Sequence, residues 1–185
     1  EAPYRMVFDL DPAEDVPFAD VRRAALDLRE ILEEAGLDSL PLLTGGKGIH
    51  LVIPLERRQG WEVFAGFARA FAVAVERLDP ARFVATASKA KRHGRIYIDH
   101  LRNRRGATAI LPFSPRAREG APIAAPVTWR ELSRIERAGA FSLTDPSVLK
   151  RRAEAWAGSE GLRSRLTIRG AARIGVKLDD LARGR

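Results

Sequence analysis

The sequence predicts an α+β fold in which a mostly antiparallel sheet carries helices packed on it. Short apolar segments recur along the chain, and two longer segments place apolar residues at helical spacing. Hydrophobic residues make up 45% and charged residues 30% of the 185, which is typical of a folded chain with a full core. We therefore predict one domain over residues 1–185, which includes a basic C-terminal segment over residues 159–185.

Strands and helices alternate in the first half of the chain. The predicted strands are residues 5–9, 40–43 and 49–53. Asp15 and Pro17 are typical of a helix start, and Gly36 is typical of a helix end, so they bound a first helix with apolar residues at helical spacing. A second helix covers residues 61–78, and its aromatic residues at helical spacing predict core packing rather than base stacking.

The second half contains shorter elements. Residues 82–87 and 95–99 predict strands separated by the basic turn 89–94, and residues 108–111 predict a short extended segment. Thr128 and Glu131 match a capping box that opens a short helix. Asp145 and Pro146 predict another helix that continues to about Trp156. From Ser159 onward the apolar periodicity is weak. The partial alternation of five apolar residues there leaves open whether the segment docks on the core: Leu166, Ile168, Ile174, Val176 and Leu178.

Charge and composition narrow the class of protein. The formal net charge is +8, and residues 150–185 hold ten Lys or Arg against four Asp or Glu. This excess favours a polyanionic partner, with a solvated basic tail as the alternative. Cysteine is absent, which excludes disulfides and thiolate metal sites. We see no apolar run of membrane-span length and no signal peptide, so we expect a cytoplasmic protein without membrane contacts.

Two carboxylates two residues apart are the most informative feature of the chain. Asp9 and Asp11 follow a short apolar run, and residues i and i+2 of a strand point to the same face. Like charges side by side on a strand repel each other unless something positive lies between them. Mg²⁺ or Mn²⁺, which prefers carboxylate oxygen, is the obvious partner. The alternative is a strand end where both carboxylates reach water.

A glycine-rich loop is the second signal. Residues 44–50 read Thr-Gly-Gly-Lys-Gly-Ile-His, which lets the backbone turn sharply and brings N–H groups close to an anion. The hydroxyl of Thr44, the ammonium of Lys47 and the imidazole of His50 add donors suited to phosphate oxygens. The spacing is not that of a P-loop. An ordinary hairpin turn with Lys47 in solvent is the alternative.

A third acid, Asp99, ends another apolar strand. With Asp9 and Asp11 it would supply the three carboxylates that a two-metal phosphoryl-transfer site commonly needs. Several arginines follow in the sequence and are suited to neutralising a triphosphate: Arg102, Arg104, Arg105 and Arg116.

Together these motifs resemble the polymerase domain of bacterial ATP-dependent DNA ligase D, which belongs to the archaeo-eukaryotic primase superfamily. The matching segments, in order, are F-D-L-D-P, G-G-K-G-I-H, I-D-H-L-R-N-R-R-G-A-T-A, S-P-R-A-R and A-P-V-T-W. They run from about Met6 to Leu132. The resemblance implies a primase-type catalytic core with a sheet like that of an RNA-recognition motif.

The resemblance also implies an activity and a set of roles. The activity is nucleotidyl transfer to DNA 3′ ends in non-homologous end joining, usually with ribonucleoside triphosphates and with Mn²⁺ or Mg²⁺. Ku and linked ligase and nuclease domains are the implied protein partners, and the nucleoid is the implied location. The implied metal-binding acids are Asp9, Asp11 and Asp99. The triphosphate-binding residues are Thr44, Lys47, His50 and Arg116, to which we add Arg102. Lys89 and Arg92 fall in a basic segment near the active site, where they are candidates for nucleic-acid binding.

Two departures from the family leave alternatives open. The family usually has Lys-Thr-Ser before the glycines, whereas this chain has Leu42, Leu43 and Thr44. The family's N-terminal segment is also absent from this sequence, so we expect that the sequence is a fragment. One alternative is therefore a catalytically impaired nucleic-acid-binding module of the same fold. The other is a two-metal phosphodiesterase or nuclease, because three acids and two metals serve hydrolysis equally well.

Overall fold

A computed structural model describes residues 2–145 and 147–178. The strands are β1 (Arg5–Pro12), β2 (Leu40–Leu43), β3 (Ile49–Pro54), β4 (Phe83–Val84), β5 (Ile96–Asp99) and β6 (Ala125–Pro126). The helices are α1 (Phe18–Glu34), α2 (Trp61–Leu78), α3 (Trp129–Leu132), α4 (Val148–Ala153) and α5 (Ile168–Arg173). Single 3₁₀ turns cover Lys89–Lys91, Leu101–Asn103 and Glu154–Trp156. In the described chain, no helix is both long and apolar enough to cross a membrane.

One six-stranded sheet runs in the order β4-β5-β1-β3-β2-β6. The β4–β5 pair is parallel, and the other neighbouring pairs are antiparallel. The predicted α+β class with a mostly antiparallel sheet is therefore confirmed. β1 lies inside the sheet, where β3 covers one edge and β5 covers the other edge from Asp9 onward. This central position holds the backbone of both predicted acids in a hydrogen-bonded ladder.

The two long helices cover one face of the sheet. Met6, Phe8 and Leu10 of β1 are fully buried on this face, and the rings of Phe8 and Phe71 lie 4.5 Å apart. The apolar stripes of α1 and α2 pack into the same core, which confirms Phe64, Phe67 and Phe71 of α2 as core residues. Because side chains alternate along a strand, the odd-numbered residues of β1 point to the opposite face.

The opposite face carries loops instead of long helices. Val7, Leu42, Val52 and Ala124 form a small buried cluster there, against which Ala109, Ile110 and Trp156 pack. Asp9 and Asp11 follow Val7 on this face of β1. The fold therefore presents the acids on the loop-covered face, with the large core behind them.

Three element predictions need correction. The strand predicted over residues 82–87 is reduced to Phe83–Val84. Asp15 does not cap α1, because its carboxylate accepts hydrogen bonds from the backbone N–H of Gly94 at 3.1 and 3.0 Å, and Pro17 occupies the N-cap position. The helix predicted from Asp145 begins at Val148 and becomes a 3₁₀ turn at Glu154. The capping box of Thr128 and Glu131 forms as predicted.

The C-terminal segment docks on the core, although its weak periodicity did not predict an element. Ser164 forms a parallel bridge with Leu55, and α5 follows with Thr167 as its N-cap. Leu166, Val176 and Leu178 are at most 5% exposed. Arg183 and Arg185 of the predicted basic segment lie outside the described residues.

Candidate active site

Asp9 and Asp11 line one cavity of about 460 Å³ on the loop-covered face of the sheet. Asp9 lies directly opposite His50 of β3 on one side and Asp99 of β5 on the other. The Oδ2 atom of Asp9 is 3.4 Å from Nε2 of His50, whose side chain is 4% exposed. The register of the three central strands therefore brings two predicted acids and the predicted imidazole together.

Arginines supply the positive charge that the paired carboxylates require. Nη1 of Arg92 donates to Oδ2 of Asp11 at 2.7 Å. Arg102 lies between the other two acids, with Nη2 3.5 Å from Oδ2 of Asp9 and Nε 3.2 Å from Oδ2 of Asp99. The predicted repulsion within the acidic cluster is thus offset by two guanidinium groups.

Asp99 is held by groups of its own strand and of the following turn. Its Oδ1 accepts a hydrogen bond from the backbone N–H of Leu101 at 2.8 Å and one from the hydroxyl of Tyr97 at 3.4 Å. Burial, and secondly the Asp99 carboxylate, raises the pKa of Tyr97 to about 12, so the phenol remains a donor at neutral pH. The guanidinium of Arg92 stacks 4.1 Å from the centre of the Tyr97 ring.

The glycine-rich loop closes on itself at the mouth of the cavity. The hydroxyl of Thr44 donates to the carbonyl of Gly48 at 3.0 Å and accepts from the N–H of Gly46 at 3.4 Å. A Cβ at Gly48 would lie 2.6 Å from the carbonyl oxygen of Leu10, so only glycine lets the loop approach β1 this closely. Lys47 is exposed at the tip and lines the cavity.

Two arginines approach from the other side of the same loop. Gly45 has φ +69°, and a Cβ there would lie 2.8 Å from the backbone carbonyl of Ile123 and 2.9 Å from Cγ of Arg116, so glycine is required where these two groups approach the loop. Arg118 also lines the cavity and was not among the site residues predicted from the sequence. The available signal was its spacing, since Arg116 and Arg118 are separated by one residue in the S-P-R-A-R turn.

The structure brings most of the predicted site residues to this cavity. Its lining includes Asp9, Asp11, Thr44, Lys47, His50, Arg102 and Arg116. Asp99 joins them through its ion pair with Arg102. Lys89 and Arg92 line a neighbouring cavity of about 600 Å³, to which Asp11 and Lys47 also contribute. The two basic residues predicted near the active site therefore lie next to it.

The donor set suits a hard divalent cation at Asp9 and Asp11. Both carboxylates face one cavity, both attract cationic partners, and Nδ1 of the buried His50 has no hydrogen-bond partner among the described residues. Within residues 2–145 and 147–178, however, no group of three or more His, Cys, Asp or Glu side chains is arranged to hold a metal ion. The three-acid metal site therefore stays a prediction.

Comparison with known proteins places these features in one family. Residues 1–156 match the family described as the LigD primase-polymerase domain. The chain is 39% identical over 170 residues to the multifunctional non-homologous end joining protein LigD of Pseudomonas aeruginosa. The matched region covers 90% of this chain and 20% of the relative. The chain is also 37% identical over 128 residues to the LigD DNA repair protein of Mycobacterium tuberculosis, which covers 69% of this chain and 17% of that relative.

A solved structure is similar over most of the chain. It is described as the polymerase domain from Mycobacterium tuberculosis ligase D in complex with DNA. The TM-score is 0.77 at 33% sequence identity, over 88% of this chain and 55% of the solved one. The chain thus spans about a fifth of the length of the curated relatives and about half of the solved polymerase domain. Because the family model matches residues 1–156 and the Pseudomonas aeruginosa relative is 39% identical over 90% of this chain, the chain belongs to the LigD primase-polymerase domain family.

Proposed function

We propose that this chain transfers nucleotidyl groups from nucleoside triphosphates to DNA 3′ ends in non-homologous end joining. The proposal rests on one observation, which is that acidic and basic side chains line separate sides of the main cavity. Asp9 and Asp11 lie on the sheet, while Lys47, Arg116 and Arg118 line the same cavity from loops. A triphosphate would meet the loop cations, and a divalent cation would meet the carboxylates.

The chain's own residues account for binding and orientation. Lys47, Arg116 and Arg118 would bind phosphate oxygens through charge-assisted hydrogen bonds, and they would stabilise the charge that develops on the leaving pyrophosphate. The primer 3′-hydroxyl releases its proton to solvent and its oxygen forms a bond to the α-phosphorus, while the bond between that phosphorus and the bridging oxygen of the leaving pyrophosphate breaks. A bound Mn²⁺ or Mg²⁺ would lower the pKa of the 3′-hydroxyl and neutralise phosphate charge.

The three acids have different positions in this proposal. Asp9 and Asp11 face the cavity and would hold the cation between them. Asp99 pairs with Arg102 and with the N–H of Leu101, so it would orient Arg102 and join the ligand set when a cation replaces the guanidinium. We extend the proposal to ribonucleotide use and to Ku and linked ligase and nuclease domains as partners, on the basis of the family resemblance.

A second candidate is a nucleic-acid-binding module without turnover. It is favoured by the ion pairs that Arg92 and Arg102 form with the three acids. Among the described residues, no three potential ligand side chains are arranged to hold a metal ion. Under this candidate, the chain binds DNA and nucleotide but does not lengthen a primer.

Primer extension with product analysis separates the candidates. The 185-residue chain is incubated with a labelled primer-template, ATP and Mn²⁺, and the products are separated by size. Lengthening supports the proposal, shortening indicates a nuclease, and binding without change of length indicates the module. Asp9→Asn should abolish lengthening and weaken Mn²⁺ binding, because it removes one of the two carboxylates proposed to hold the cation. The control Asp20→Asn removes an exposed carboxylate on α1 and should change neither.

A further inference from the structure

A groove continues from the main cavity along the loop-covered face, away from the acids. Arg102 and Ala109 line both the main cavity and a second cavity of about 270 Å³. Tyr4 and Arg57 line both that second cavity and a third, open cavity of about 530 Å³. The three cavities therefore adjoin one another, and we name the second and third together the side groove beyond Arg102.

The side groove is strongly basic. Its basic lining residues are Arg5, Arg57, Arg58, Arg102 and Arg163. Among the described residues that line it, Glu56 is the one acid, and that carboxylate is paired with Nε of Arg58. Because a concentration of like charge destabilises a fold through self-repulsion, a wall of arginines with a single acid favours an anionic occupant.

The docked C-terminal segment completes the basic wall. The N–H of Glu56 donates to the carbonyl of Ser164, and the N–H of Ser164 donates to the carbonyl of Pro54 at 2.9 Å. Ser164 is buried, whereas the flanking Arg163 and Arg165 are exposed. The backbone pairing therefore holds these two arginines beside the end of β3, next to Arg57 and Arg58.

An exposed aromatic ring lies midway along the groove. Tyr4 is 55% exposed, and the guanidinium of Arg5 lies 5.5 Å from its ring centre. Aromatic rings beside cationic groups are the usual platform on which single-stranded bases stack. An acidic protein segment would make use of the arginines but has no bases to stack on Tyr4.

The length of the groove suits several nucleotides. Tyr4 precedes Asp9 by five positions, and at about 3.3 Å per residue of strand this separation is roughly 17 Å. Arg5 shares its face of β1 with Asp9, and Val7 between them is buried under Ala109, so the path runs beside the strand, past Arg102 and Ala109, toward the acids. At about 3.4 Å per nucleotide along one strand of a duplex, roughly five nucleotides cover this distance.

We propose that the side groove binds one nucleic-acid strand that extends from the catalytic cavity past Tyr4 to Arg163. The inference rests on the proposed function, because the strand is the one on whose end or template the cavity acts. It adds a surface outside the cavity, formed by Tyr4, Arg5, Arg57 and Arg163, that recognises phosphates and bases without sequence preference.

Salt-dependent binding of single-stranded oligonucleotides tests the groove. The variant Arg57→Ala/Arg163→Ala should weaken binding of an oligonucleotide of about 12 nucleotides and reduce the slope of log K against log salt by roughly 1.5, since about 0.7 of a unit is lost per phosphate contact. The matched control Arg23→Ala/Arg77→Ala removes equal charge from α1 and α2 and should leave the slope unchanged. The variant Arg57→Lys/Arg163→Lys keeps both charges and should therefore keep most of the salt-dependent slope.

The outcomes separate this inference from the proposed function. If the groove variant and the control show the same slope of log K against log salt, the proposed role of the groove is wrong. An equally large loss of affinity for poly-glutamate assigns the surface to acidic proteins and also overturns it. Groove-dependent oligonucleotide binding without primer extension supports the groove but contradicts the proposed function. The four substituted arginines are exposed, so we expect each variant to keep its fold: Arg23, Arg57, Arg77 and Arg163. Thermal melting of each variant checks this.

Discussion

The side-chain amide of Asn103 makes two backbone-type hydrogen bonds to Val7. Its Oδ1 accepts from the N–H of Val7 and its Nδ2 donates to the carbonyl of Val7, both at 2.8 Å. β5 pairs with β1 only from Asp9 onward, so Asn103 takes the place of a neighbouring strand two residues before the acids. Nδ2 also donates to the carbonyl of His100 at 3.0 Å. The amide therefore fixes the turn that carries Arg102 to the strand that carries Asp9.

Asn103→Ala should destabilise the protein and disturb the site. The substitution leaves the buried N–H and carbonyl of Val7 without partners, at about 1–3 kcal/mol for each group. We expect the free energy of unfolding in urea to fall by about 2 kcal/mol or more. Asn103→Asp keeps only the acceptor and should also destabilise. Arg104→Ala, which changes the exposed neighbouring residue, serves as the control. A loss of a few tenths of a kcal/mol for Asn103→Ala would contradict the role of the amide.

Much of the site could be predicted because it depends on local sequence patterns. The i, i+2 spacing of Asp9 and Asp11 defines a shared strand face, and the glycines around Lys47 define a tight loop. Asp99 was predicted as an acid at a strand end, which is where β5 places it. The α+β class also follows from local apolar periodicity. The predicted bounds of α2, for example, match the observed helix.

The remainder depends on contacts between residues distant in sequence. Asn103 lies 96 positions from Val7, and a single polar residue gives no signal of such a partner. Arg92 reaches Asp11 over 81 positions, and no local pattern in the sequence signals that ion pair. α5 was missed because its six residues are too short for a periodic pattern, and its burial depends on the close approach of Gly170 to Ala35.

Lys47→Ala should weaken nucleoside triphosphate binding far more than nucleoside binding. Lys47 is exposed at the loop tip, and its proposed partners are phosphate oxygens, to which a charge-assisted bond contributes about 1.5–3 kcal/mol. We therefore expect the Kd for ATP to rise about tenfold and that for adenosine to stay constant in calorimetric titrations. Lys150→Ala removes an exposed lysine of α4 and is the matched control. Equal ATP affinity in both variants would indicate that the loop is an ordinary hairpin turn without a role in triphosphate binding.

The ion pair of Glu131 and Arg152 should make stability depend on pH in the acid range. Nη2 of Arg152 donates to Oε1 of Glu131 at 2.7 Å, and this bond is the main cause that lowers the pKa of Glu131 to about 2, from an ordinary value of 4.5. A lowered folded-state pKa contributes stability that is fully present above 4.5 and is lost as the pH falls toward 2. The variant Glu131→Gln lacks this titration.

We therefore expect Glu131→Gln to be less stable than the natural chain above pH 4.5, with the difference shrinking between pH 4.5 and 2. Urea unfolding across this range measures the difference directly. Glu136→Gln changes an exposed residue near α3 and controls for the loss of one negative charge. A difference between Glu131→Gln and the natural chain that stays constant down to pH 2 would show that the ion pair does not contribute.

The C-terminal segment offers a matched pair of leucine and isoleucine truncations. Leu166 is 4% exposed and belongs to the main core, whereas Ile168, two residues further on, is 56% exposed. Leu166→Ala should lower the free energy of unfolding by about 2–4 kcal/mol, because it removes a transfer term and leaves a cavity. Ile168→Ala should change it by less than about 0.5 kcal/mol. If both variants unfold in urea with the same small change, the segment contributes charge without supporting the fold. A large change for Leu166→Ala alone means that Arg163 and Arg165 are held in place by core packing.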